Sequence, residues 1–96
     1  MRESLIEKKV SDYAKEQGLL TYKFSSPSQR GVPDRIFIGK SNVFFIEFKS
    51  PGKTPTNLQW SIINKFKDMN ITTYVCDGVE QGKQIIDREK RRVRFR

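Results

Sequence analysis

Asp34, Glu47 and Lys49 are the residues whose types and spacing could do chemistry. They stand at the outer ends of two apolar runs, Arg35 to Ile38 and Val43 to Phe48. Between the runs lies Gly39-Lys40-Ser41-Asn42, a cluster with turn chemistry, so the stretch predicts a hairpin. A turn centred between Lys40 and Ser41 sets Asp34 opposite Glu47. Alternation along a strand puts Glu47 and Lys49 on one face. Two facing carboxylates repel unless a proton or cation lies between them. A hard divalent cation such as Mg2+ takes oxygen ligands and keeps several waters, and an adjacent ammonium can steady negative charge or orient a water. That is equipment for metal-assisted phosphodiester hydrolysis. A surface salt bridge at a strand end fits the same spacing. Ile36, Ile38, Val43 and Phe45 would share the face of the acidic pair, with Phe37, Phe44, Ile46 and Phe48 on the other. Both faces are apolar, which predicts helices over both. Carboxylates are costly to bury without a partner in such a sheet, which favours the metal.

Pro33-Asp34, twelve intervening residues and Glu47-Phe48-Lys49 resemble the PD-(D/E)XK nuclease signature. The wider frame is similar to its VRR-NUC (virus-type replication-repair nuclease) branch: Glu3-Ser4-Leu5-Ile6-Glu7, Arg30-Gly31-Val32-Pro33-Asp34, Phe45-Ile46-Glu47-Phe48-Lys49, and Gln59 in the next helix. Ser50 stands where that family typically has glycine, and Glu7 where it often has glutamine. The resemblance covers about residues 3 to 76. It implies that Asp34 and Glu47 hold Mg2+ or Mn2+, together with the backbone carbonyl of Phe48. Glu3 or Glu7 would add an outer carboxylate, with Glu3 in better register. Lys49 would stabilise charge or position the attacking water, and Gln59 would support that arrangement.

The 96 residues predict one domain, with a basic C-terminal segment at 88–96. Nineteen lysines and arginines against eleven acidic residues give a net charge of +8, which suggests a polyanionic partner. Arg88 to Arg96 carry six of those cations and one acid. Arg30, Lys53, Arg91, Arg92 and Arg94 are the candidate nucleic-acid contacts. The chain has no histidine, which excludes His-based nucleases, Ser-His-Asp hydrolases and His-rich zinc sites. Its one cysteine, Cys76, forms no intramolecular disulfide and reads as a small core residue. No apolar run is long enough for a membrane span, so no membrane partner is expected. A cytoplasmic setting fits, that of the host if the gene is phage-borne.

Apolar periodicity predicts a first helix over 3–17 ended by Gly18, and a strand over 19–24 whose apolar face is Leu20, Tyr22 and Phe24. The polar loop from Ser25 to Gly31 would border the site. A second helix would be capped by Thr54 with Pro55 in its first turn, a core stripe of Leu58, Ile62, Phe66 and Met69, and Trp60 at the edge of that stripe. A fourth strand over 71–76, parallel to the third, and a short helix over 79–88 weakened by Gly82 would follow. Val93 and Phe95 would face inward if 92–96 formed an edge strand. The fold expected is α/β, a restriction-endonuclease-like core with a mixed four-stranded sheet flanked by helices (α-β-β-β-α-β). The resemblance implies a metal-dependent endodeoxyribonuclease acting as a homodimer on four-way or other branched DNA. A non-catalytic nucleic-acid-binding module, or a nuclease for flaps or RNA, are the alternatives.

Overall fold

The computed structural model describes residues 1–92. The chain runs α1 (Glu3–Glu16), β1 (Leu20–Lys23), β2 (Arg35–Ile38), β3 (Val43–Phe48), α2 (Asn57–Asp68), β4 (Thr72–Cys76) and α3 (Val79–Arg91). The four strands form one sheet in the order β1-β2-β3-β4. β1 and β2 pair antiparallel, as do β2 and β3, while β4 is parallel to β3 across the α2 crossover. The expected mixed sheet is therefore present, and the C-terminal helix completes it. Arg94, Val93 and Phe95 lie outside the described residues.

One face of the sheet carries the main core. Ile6, Val10 and Ala14 of α1 and Ile85 and Ile86 of α3 pack onto Phe37, Phe44, Ile46, Phe48 and Cys76. Phe37 and Phe44 stack at 5.2 Å. On the other face Phe45 meets Phe24 and Phe66 edge-on, at 4.9 and 5.1 Å. The division of the hairpin residues between faces is thus the one their alternation predicts.

Four local expectations are corrected. The second helix is capped by Thr56, not Thr54, because Thr56 and Gln59 form a reciprocal capping box that satisfies two backbone donors at once. Its buried stripe is Ile62 and Ile63, while Leu58 is about half exposed and Met69 lies largely in solvent. The apolar face of β1 is turned outward: Leu20 and Tyr22 are each 54% exposed, whereas Thr21 is buried and donates its hydroxyl to the Ile36 carbonyl. The cause is coverage. A helix about 10 Å across spans roughly two strands at about 4.8 Å spacing, and α2 lies over β4 and β3, the strands it connects.

The fourth correction concerns α3, which continues to Arg91. Gly82 has a packing role beyond its low helix propensity. A Cβ there would come within 2.3 Å of Val10 Cγ2 and 3.2 Å of Cys76 Sγ, so the glycine lets α1 and α3 approach. At the far end Glu89 is buried and accepts from Tyr74 Oη and Asn42 Nδ2, tying the last turns to the hairpin.

Gly82→Ala should therefore destabilise the fold by about 1–3 kcal/mol, lowering Tm by several degrees despite the better helix propensity of alanine. Val10→Ala in the same chain should recover part of the loss, as read by a thermal double-mutant cycle. A Gly82→Ala protein as stable as the parent would show that the two helices have room to spare.

Candidate active site at the end of the central hairpin

The ladder pairs Ile38 with Val43 and runs in register to Arg35 opposite Ile46. Asp34 lies just beyond the last pair. Its carbonyl accepts from Phe24 N at 2.8 Å, and its Oδ2 accepts from Phe48 N at 2.8 Å. The preceding Pro33 is fully buried and fixes the approach of the chain. Asp34 is thus clamped between the end of β1 and the end of β3.

Glu47 is held by the sheet itself. It pairs with Val75 in the parallel ladder and is only 2% exposed. Lys49 N donates to the Cys76 carbonyl at 2.8 Å, which keeps strand geometry through the lysine. Lys49 Nζ stands 3.5 Å from Glu47 Oε2, an ion pair longer than a good hydrogen bond. The three residues singled out by spacing are therefore brought together, in a buried setting that a surface salt bridge does not have.

The electrostatics follow. Burial first, then the Asp34 charge, push Glu47 from an ordinary 4.5 to about 7, against the pull of Lys49. Asp34 is also raised, mainly by burial, while the Phe48 N–H and the Lys23 and Lys49 charges oppose the shift. The pair is short of positive charge. One buried and one half-buried carboxylate at that deficit fit a hard divalent cation. Among the described residues no further His, Cys, Asp or Glu completes a ligand cluster, so such an ion would retain waters.

The two α1 glutamates separate in role. Glu7 is gripped by Lys23 Nζ at 2.7 and 2.9 Å and by Arg35 Nε at 2.8 Å, and its charge raises Asp34. Glu3 makes no ion pair among the described residues, and its charge bears on Glu47. Gln59 Oε1 accepts from Thr56 N at 3.0 Å, so its oxygen serves the helix cap and only its amide nitrogen is left for other partners. The Thr56-x-x-Gln59 spacing was a readable capping-box signal for this. Phe48 contributes its N–H to Asp34.

Arg30 and Lys53 are exposed in the two loops nearest the site, each loop turned by a positive-φ glycine, Gly31 and Gly52. Gly31 also has to be a glycine because Leu58 of α2 packs directly against it. Arg91 and Arg92 lie elsewhere. They close α3 beside Asn42 and the hairpin turn, at the opposite end of β3 from Glu47, roughly 17 Å away at about 3.3 Å per residue. Arg35 and Lys23 were not singled out by spacing. Only the fold brings them to Glu7.

No family profile matches the chain. A curated relative named "Putative nuclease p44", from Acyrthosiphon pisum secondary endosymbiont phage 1, is 42% identical over 60 residues. That match spans 62% of this chain and 64% of the relative's length. A solved structure described as a "VRR_NUC domain" superposes with a TM-score of 0.81 at 21% identity, covering 88% of this chain and 94% of the other. The resemblance read from the motifs is borne out by this shared fold.

A pH test follows from Glu47. The folded chain holds its proton more tightly than the unfolded chain. Its contribution to stability is therefore full below about 4.5, declines as pH rises, and is lost above about 7. In EDTA, wild type should lose up to about 3 kcal/mol relative to Glu47→Gln across that window. Parallel stability curves for the two proteins would contradict the burial of an uncompensated pair.

Proposed function

We propose that this chain, which shares the fold of a VRR_NUC domain, is a metal-dependent endodeoxyribonuclease. The observation that carries the reading is buried Glu47 facing half-buried Asp34, with Lys49 beside them, at one end of a sheet in a strongly basic chain. The relative's name supports a nuclease of some kind. Mg2+ or Mn2+ between the two carboxylates would lower the pKa of a bound water and stabilise charge developing on the phosphate.

The chain's own residues take the remaining roles. Asp34, fixed by the Phe48 N–H, would present its other oxygen to the metal. Glu47 presents an oxygen from within the sheet, and the Phe48 carbonyl is the proposed third ligand. Glu3 is the α1 carboxylate left to hold an outer-sphere water. Lys49 faces the scissile phosphate or orients the attacking water. Gln59, with its amide nitrogen, and Arg30 and Lys53 on the flanking loops, steady the DNA backbone. Arg91 and Arg92 belong to a more distant contact, and Arg94, a further arginine proposed to meet nucleic acid, lies outside the described residues.

One carboxylate pair cuts one strand at a time. A homodimer would present two, which suits paired cuts in branched DNA such as a four-way junction. The outward strip of Leu20 and Tyr22 on β1, with Val43 38% exposed nearby, supports a second copy as the cover.

Cleavage of labelled linear, flap, splayed and four-way DNAs with Mg2+, Mn2+ or EDTA tests the reading. Asp34→Asn, Glu47→Gln and Lys49→Ala should each lose about a hundredfold or more in rate while DNA binding persists. Undiminished cutting by Asp34→Asn would remove the mechanism.

Assembly has its own test. Light scattering at micromolar protein should give a dimer mass, and Leu20→Lys with Tyr22→Lys should give a monomer that still binds DNA. A monomeric wild type that cuts flaps and spares the junction would remove the branched-DNA reading.

A further inference from the structure

Glu7 is left without a role in the chemistry described above, although it is the more firmly held of the two α1 glutamates. Its carboxylate is 12% exposed and takes Lys23 of β1 and Arg35 of β2 together. Those two cations are direct partners in the β1–β2 ladder, and they form its last pair. Like charges set directly opposite each other destabilise an antiparallel pair. The end of a ladder is also where strands open most easily. Lys23 opposite Arg35 is therefore a weak terminus, and one oxygen of Glu7 lies 2.7 Å from the first cation and 2.8 Å from the second.

The place of this terminus in the fold gives it a consequence. Arg35 ends the β2–β3 ladder as well, opposite Ile46, so both ladders stop one residue short of Asp34. Beyond them Asp34 is kept by Phe24 N on its carbonyl and by Phe48 N on its Oδ2, each at 2.8 Å. Lys23 is the covalent neighbour of Phe24, and Arg35 is that of Asp34. Separation of the two cations would carry Phe24 away with one and Asp34 with the other. Lys23 is well exposed and can turn to water, but Arg35 is only 20% exposed. A cation so placed needs a partner. Besides Glu7, its guanidinium reaches the Thr21 hydroxyl only at 3.4 Å.

We propose that Glu7 is a positioning residue for Asp34: by compensating the opposed Lys23 and Arg35, it closes the ladder end from which Asp34 extends. What Asp34 then does rests on the metal-dependent reading above, whereas the brace itself does not. Glu7 acts on the site without touching it, through the neighbours of the two residues that meet in the Phe24–Asp34 bond. A carboxylate suits this position because two cations must be compensated at once. An amide would accept from one and leave the other uncompensated.

Amide hydrogen exchange in EDTA reads the brace without metal or DNA. Glu7→Ala should speed exchange at the Phe24 and Phe48 amides about tenfold beyond any change at Phe44 to Ile46 in the central strand. Calorimetric titration with Mn2+ should show affinity lowered about tenfold in the same variant. Glu7→Gln should fall between it and wild type in both measurements. Adding Lys23→Thr to Glu7→Ala removes the opposed charge and should restore both amides and most of the affinity. Unchanged protection at Phe24 and Phe48, or a rise no larger than that of the central strand, would overturn the brace. Lost Mn2+ affinity that Lys23→Thr fails to restore, with both amides still protected, would overturn it in favour of Glu7 as a metal-site carboxylate. A wild type that binds no Mn2+ would remove the metal reading, and the two amides alone would then decide the brace.

Discussion

Two carboxylates share one buried strand end, and the rest of the molecule is arranged around that cost. Glu47 is almost wholly out of water and carries its proton up to about pH 7. Desolvation and like-charge repulsion both act against ionisation there. Such a pair persists only where the surroundings hold it, and each neighbour contributes. The Phe48 N–H fixes Asp34, β4 locks Glu47 by parallel pairing, and Lys49 supplies partial compensation. The hairpin register matters for the same reason. A slip by one residue would turn Glu47 to the opposite face and put Ile46 or Phe48 in its place.

The helices are distributed unequally to serve this arrangement. α1 and α3 close one face completely, and Gly82 permits the approach of α3 to Val10. α2 covers only the half of the other face that it bridges. The remaining half, with Leu20 and Tyr22, stays open. Among the described residues no further element lies over that half, so the strip stays uncovered.

Charge is likewise sorted by the fold. The net excess of +8 is spread over separate surfaces. One is the side of α1 that faces β1 and β2, where Glu7 organises two cations. Another is the C-terminal end of α3, where buried Glu89 anchors Arg92 and receives the Tyr74 hydroxyl. In both places an acidic residue with little exposure holds basic head groups in position.

The sequence by itself determined the hairpin, its register and the identity of the catalytic candidates, because these depend on short-range alternation and turn chemistry. Ile38 opposite Val43, the inward Phe37 and Phe44, and Asp34 beside Glu47 and Lys49 all follow from residues within one twenty-residue stretch. It also determined the parallel β4, since a helical crossover leaves little choice of direction. What surrounds the pair was decided only by the tertiary structure. Whether Leu20 or Thr21 of β1 is buried depends on how far α2 reaches, not on the pattern of β1. Whether Gly82 weakens a helix or admits its neighbour depends on Val10, far away in the chain. The separation of Glu3 from Glu7 depends on Lys23 and Arg35, which meet Glu7 only when β1 and β2 lie under α1. Local pattern carries what neighbours in sequence impose on one another, whereas burial and charge pairing belong to neighbours in space.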